Sequence, residues 1–119
     1  MIYKIYTAKD GNLLIEKALV ARTFFQRFLG LIPRKNIAGD EALIFYNAGS
    51  IHMFFMRFPI DVIFLDRENK IIKIVTNLKP WQLANCFSAK VTVEMSAGKA
   101  EQFCLAVGDK LDFLNQPEV

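Results

Sequence analysis

Residues 50–66, SIHMFFMRFPIDVIFLD, constrain this chain more than any other stretch. They form its most hydrophobic run, yet they hold the only histidine, His52, together with Arg57, Asp61 and Asp66. Read as a strand, successive side chains point to opposite faces. His52, Phe54, Met56 and Phe58 then share one face, and Ile51, Met53, Phe55 and Arg57 the other. Both faces are mostly apolar, which predicts a strand covered on both sides. Pro59 has no N–H to give a ladder and interrupts the run. A second strand over 60–65 puts Asp61 on one face with Ile63 and Leu65. A carboxylate among such neighbours needs a partner, because burying it alone costs several kcal/mol. Arg57, four residues back, is the nearest cation in sequence, and backbone N–H groups near Pro59 are the other expected partners. A membrane span is excluded, since Arg57, Asp61 and Asp66 interrupt the roughly 20 apolar residues that a spanning helix needs.

The rest of the chain fits a small β-rich domain. Its 119 residues suit one domain, 1–119, and 53% hydrophobic residues with eleven phenylalanines exclude disorder. Strands are predicted over 2–7 and 13–19, joined by a hairpin at Asp10-Gly11. Thr23-Phe24-Phe25-Gln26 has capping-box form, so a short helix is expected over 24–29 with Gly30 as its stop. Further strands are expected over 42–46, 71–75, 90–95 and 110–114, with 99–105 as one or two helical turns and 77–88 irregular. The tail, 115–119, is expected to be loose. Many short strands with regular turn signals predict an all-β fold with one or two short helices, a compact sandwich or barrel.

Known catalytic signatures are absent: there is no GxSxG, no Walker loop and no GxGxxG. One histidine cannot build a multi-histidine metal site, and Cys86 and Cys104 have no CxxC spacing, so neither metal nor cofactor is expected. Both cysteines are read as buried, reduced thiols. Arg27, Arg34 and Lys35 make the most basic local segment, either solvated charge or a receiver for an anion. Asp61 and Glu94 could act as acid and base, or as members of an internal ion pair. His52 reads as a hydrogen-bonded core residue or a site residue. Trp81, after Pro80, is either a lid over the core or a rim contact for a ligand. A net charge of +3 with scattered basic residues gives no stripe for nucleic acid. The first residues lack a signal-peptide pattern, and the expectation is a cytoplasmic protein.

Arg27-x-x-Gly30-Leu31, His52-Met53-Phe54-Phe55-Met56-Arg57-Phe58-Pro59-Ile60-Asp61, Lys79-Pro80-Trp81, Glu94-Met95-Ser96-Ala97-Gly98 and Gly108-Asp109 together resemble the family catalogued as domain of unknown function 192. The likeness runs from about Ala18 to Phe113. It implies a compact, jelly-roll-like β-sandwich and carries no activity with it. The chain departs from the familiar pattern at Met53, where threonine is frequent, and at Gln82, where arginine is frequent. Gln82 weakens any anion site that relies on a basic residue beside Trp81. The resulting expectation is a ligand-binding cluster of Arg27, His52, Arg57, Asp61, Trp81 and Glu94 for a small polar or anionic molecule. The rivals are a hydrolase using Asp61 or Glu94 as general base, and an interaction module whose polar cluster is structural.

Overall fold

The computed structural model describes residues 2–21, 37–47, 49–52 and 57–116, without the side chains of Ile51 and His52. The helix expected over 24–29, with Arg27 and Arg34, and the 53–56 part of the central run lie outside the described residues.

Among the described residues the chain forms β1 (Ile2–Thr7), β2 (Leu13–Val20), β3 (Glu41–Tyr46), β4 (Ser50–His52), β5 (Ile60–Leu65), β6 (Ile71–Leu78), β7 (Leu83–Asn85), β8 (Val91–Ser96), α1 (Lys99–Gln102) and β9 (Leu111–Gln116). Seven strands make one sheet in the order β6-β5-β8-β3-β2-β1-β9, and β4 pairs with β7 in a separate two-stranded ribbon. All pairs are antiparallel except β2–β3, which run parallel with Lys17 opposite Glu41. A parallel pair needs a long crossover, and residues 21–40 supply it.

The sheet curls until its two edge strands meet. Lys70 and Lys110 form an antiparallel bridge, and the N–H of Ile71 donates to the carbonyl of Asp109 at 2.8 Å. The two edges are thereby joined at their first residues. Inside the curl lies a core to which all seven strands contribute, including Ile5, Ile15, Ile44, Ile63, Ile71, Val93 and Leu111. The observed form is one strongly curled, barrel-like sheet with the ribbon laid on its outer face.

A second apolar layer sits on the outer face, where Val62, Phe64, Phe58 and Leu78 pack with Ala84 of the β4–β7 ribbon and Ala89. This layer explains why β5 is buried at every position and β8 at all but its last. The ribbon is held down at Gly49, where a Cβ would stand 2.7 Å from the Cys86 carbonyl oxygen. The N–H of Cys86 donates to the Gly49 carbonyl at 2.7 Å, so the two backbones touch where any side chain would part them.

Three expectations need correction. Residues 77–88 are not wholly irregular, because β6 runs on to Leu78 and β7 supplies the ribbon's second strand. Asn115 and Gln116 are not loose, since they pair with Tyr3 and Ile2. Cys86 is half-buried and Cys104 is exposed rather than buried, though both are free thiols. Cys104 follows α1 with φ of 52°, a turn that swings it outward.

Candidate functional site

Two carboxylates are buried among the described residues, and they differ in what surrounds them. Asp61 projects into the barrel and is fully buried. Its Oδ1 accepts the N–H of Asn77 at 2.9 Å. Its Oδ2 accepts the N–H of Gly98 at 3.1 Å and that of Ala100 at 3.0 Å. The expected Asp61–Arg57 pair is not formed; Arg57 is exposed beyond Pro59, and backbone donors take its place.

The donors follow from local structure. β6 carries a bulge where Ile60 pairs with Leu78 and Val62 with Val75, so two residues of β6 stand against one of β5. Asn77 lies in that bulge with φ of 52°, and its N–H would otherwise be unpaired. Gly98 is the N-cap of α1 and has no side chain to cap it, so the Asp61 carboxylate supplies the missing acceptor from another strand. Asp61 is thus spent on holding β5, β6 and α1 together.

Glu94 is the other case. It lies on β8, directly opposite Leu43 of β3 and Val62 of β5, on the outer face that the second layer covers. It is only 8% exposed, yet its carboxyl makes no hydrogen bond among the described residues. No fully enclosed side-chain N or O there lacks a partner, so the Glu94 oxygens keep a narrow contact with accessible space. Burial in this apolar layer pushes its carboxyl up from the ordinary 4.5 to about 7. Such a group sits between neutral acid and anion near physiological pH. It can donate a hydrogen bond, accept one, or exchange a proton.

Trp81 is 60% exposed and therefore no core lid. It occupies the third position of a turn in which the N–H of Gln82 donates to the Lys79 carbonyl at 3.1 Å. Pro80 at the second position and φ of 70° at Trp81 mark a type II turn, with tryptophan where glycine is favoured. Gln82, at the position where arginine is frequent in the resembling pattern, locks the turn by accepting the Lys79 N–H on Oε1 at 2.8 Å. His52 is placed by its backbone alone, paired with Leu83, two residues beyond Trp81. The ribbon therefore brings the backbone of His52 close to the Trp81 turn. Asp109 is a turn residue, accepting from the Ala106 N–H and from Lys9 Nζ, both at 2.9 Å. Sequence reasoning missed Asn77, Gly98 and Ala100 as partners of Asp61.

The family model for domain of unknown function 192 (DUF192), described as "Uncharacterized ACR", matches residues 5–113. The chain belongs to the DUF192 family. A UPF0127 protein of Thermococcus sibiricus is 34% identical over 111 residues, covering 87% of this chain and 70% of the relative. One from Pyrococcus furiosus is 40% identical over 101 residues, covering 78% and 83%. The DUF192 barrel also resembles two crystal structures. A protein of unknown function from Novosphingobium aromaticivorans matches with a TM-score of 0.80 at 19% identity, over 94% of this chain and 84% of the other. A Sinorhizobium meliloti protein, described only provisionally as a transcription regulator, matches with a TM-score of 0.81 at 22% identity, over 94% and 92%. At that identity the likeness speaks for the fold. No helix among the described residues is long and apolar enough to cross a membrane.

Proposed function

We propose that this DUF192 domain binds a small polar or anionic molecule and that Glu94 is its buried recognition group. The observation that carries the reading is the contrast between the two buried carboxylates. Asp61 has three backbone donors, whereas Glu94 has none among the described residues and keeps a carboxyl near pH 7. Buried polar groups are nearly always hydrogen-bonded, and one left without a partner is costly to keep. A ligand that supplies the missing bond gives such a residue a use. The neutral acid donates to an oxygen of the ligand, and anion binding weakens as pH rises through about 7. Trp81, in the turn that leads into the ribbon, is the companion rim residue, and Arg27, His52 and Arg57 remain the candidate polar partners. Asp61 leaves the cluster for a structural role. Two free cysteines suit a reducing compartment, and we place the protein in the cytoplasm.

A thermal-shift screen with small phosphates, carboxylates and sugars at pH 6 and pH 8 tests the reading. A ligand that raises the melting temperature more at pH 6 is expected. Glu94→Gln, which mimics the neutral acid, should keep the shift and lose its pH dependence, and Glu94→Ala should abolish it. No ligand at either pH, or an equal shift with Glu94→Ala, contradicts the proposal. If Glu94 is instead the general base of a hydrolase, Glu94→Gln keeps binding but stops turnover. An interaction module is the other reading, favoured by the exposure of Trp81, Leu83 and Phe87 at 60%, 62% and 84% along the ribbon.

A further inference from the structure

A different part of the sheet carries a second feature, a cleft apart from Glu94. Where β3 ends, β5 turns into β6 and the chain enters β8, a cleft of about 500 Å³ opens at the mouth of the barrel. Two backbone hydrogen bonds and two turns bring its walls together. The N–H of Lys90 donates to the Leu65 carbonyl and that of Asn47 to the Lys90 carbonyl, both at 2.9 Å. Asn47 and Asn69 turn the chain with φ of 56° and 63°, conformations that asparagine tolerates better than most residues. Arg67 and Lys90 line the cleft from separate segments, and Tyr3 and Phe113 line it as an edge-to-face pair with centroids 6.1 Å apart.

The charge of this cleft is uncompensated. No carboxylate is among the described residues that line it. Arg67 and Lys90 enter no side-chain hydrogen bond or ion pair among the described residues. Asp66, beside Arg67 in sequence, is engaged in its own turn. Its Oδ1 accepts the N–H groups of Glu68 at 2.8 Å and Lys70 at 3.0 Å.

We infer that this cleft binds a phosphate monoester carried on a planar ring, as in a mononucleotide. Two cations from separate segments match a group that carries a charge of about −1.5 to −2 near neutral pH better than they match a single carboxylate. The aromatic pair offers a ring face and edge for stacking. The amides of Asn47 and Asn69 offer both donors and acceptors for the edge of a heterocycle. The volume falls within the range of small-molecule pockets, and barrel mouths are a recurrent place for them. The charged turn over 66–70 reads in the sequence as a hairpin and nothing more; only the fold brings Arg67 to Lys90.

Isothermal titration of the full chain at low salt tests this, with adenosine and cytidine monophosphates, the matching nucleosides and inorganic phosphate as probes. A mononucleotide should bind at least tenfold more tightly than inorganic phosphate, and the nucleosides should give no signal. Arg67→Gln and Lys90→Gln should each weaken binding tenfold or more with unchanged circular dichroism, because both side chains are exposed; Lys17→Gln, on β2, should bind as the parent does. Absence of mononucleotide binding at millimolar concentration overturns the inference. So does inorganic phosphate binding as tightly as the nucleotide, or retention of binding by both cleft variants. Single-stranded DNA binding in preference to the mononucleotide would also overturn it.

Discussion

Asp61 and Glu94 lie on the adjacent strands β5 and β8 and face opposite sides of the sheet, Asp61 pairing with Met95 while Glu94 pairs with Val62. One side chain enters the barrel and meets three N–H donors. The other enters the outer layer and meets apolar neighbours. Two carboxylates of nearly the same burial thus take opposite roles, and the roles are set by the face rather than by depth.

Asp61→Ala should destabilise the protein by about 3–5 kcal/mol, because it takes the acceptor from three backbone N–H groups at once, that of Ala100 buried and those of Asn77 and Gly98 part-buried. Denaturant unfolding of the variant measures this. A loss below about 1 kcal/mol would mean that solvent already satisfies those N–H groups.

Glu94 makes stability depend on pH. Its carboxyl ionises at about 7 in the folded chain against an ordinary 4.5, so the folded state holds the proton longer. Stability therefore falls as pH rises from about 4.5, and the loss levels off above about 7 at a total of about 3 kcal/mol. Urea melts at pH 5 and pH 8 should show this decline, and Glu94→Gln should flatten it. A parent protein that gains stability over the same interval would contradict the assignment.

Trp81→Gly should relieve about 0.5–1 kcal/mol of backbone strain, since a left-handed conformation strains a bulky residue and not glycine, set against the loss of the interaction that Trp81 makes. The same variant should reduce the ligand response of the outer face. A loss of more than about 1 kcal/mol on thermal unfolding would show that the side chain packs as part of the core.

Much of the fold was legible because β-strands write themselves as alternation and turns as asparagine, aspartate and glycine. The 60–65 strand, the Asp10-Gly11 hairpin and, to within one residue, the strand expected over 90–95 and observed over Val91–Ser96 follow from such local signals. The ribbon was not legible: β7 is three residues long, LAN, and owes its place to pairing with β4 and to the close approach at Gly49. Asp61 could be recognised as a buried carboxylate from its neighbours, but its partners lie 16 to 39 residues away and are backbone groups, which leave no mark in side-chain identity. Arg57 was the nearest cation in sequence, and nearness in sequence was the wrong measure. Glu94 looked like one polar position of an alternating strand until the ribbon covered that face.

The division of labour between the two carboxylates is tested most directly by urea unfolding of Glu94→Leu at pH 8, beside the parent chain. Removing a buried carboxylate that lacks a partner among the described residues should raise stability by about 1–3 kcal/mol while abolishing the ligand response, as replacement of a residue kept for function does. A variant destabilised by as much as Asp61→Ala would mean that Glu94 is structural, and would contradict the proposal that it is held in reserve for a ligand.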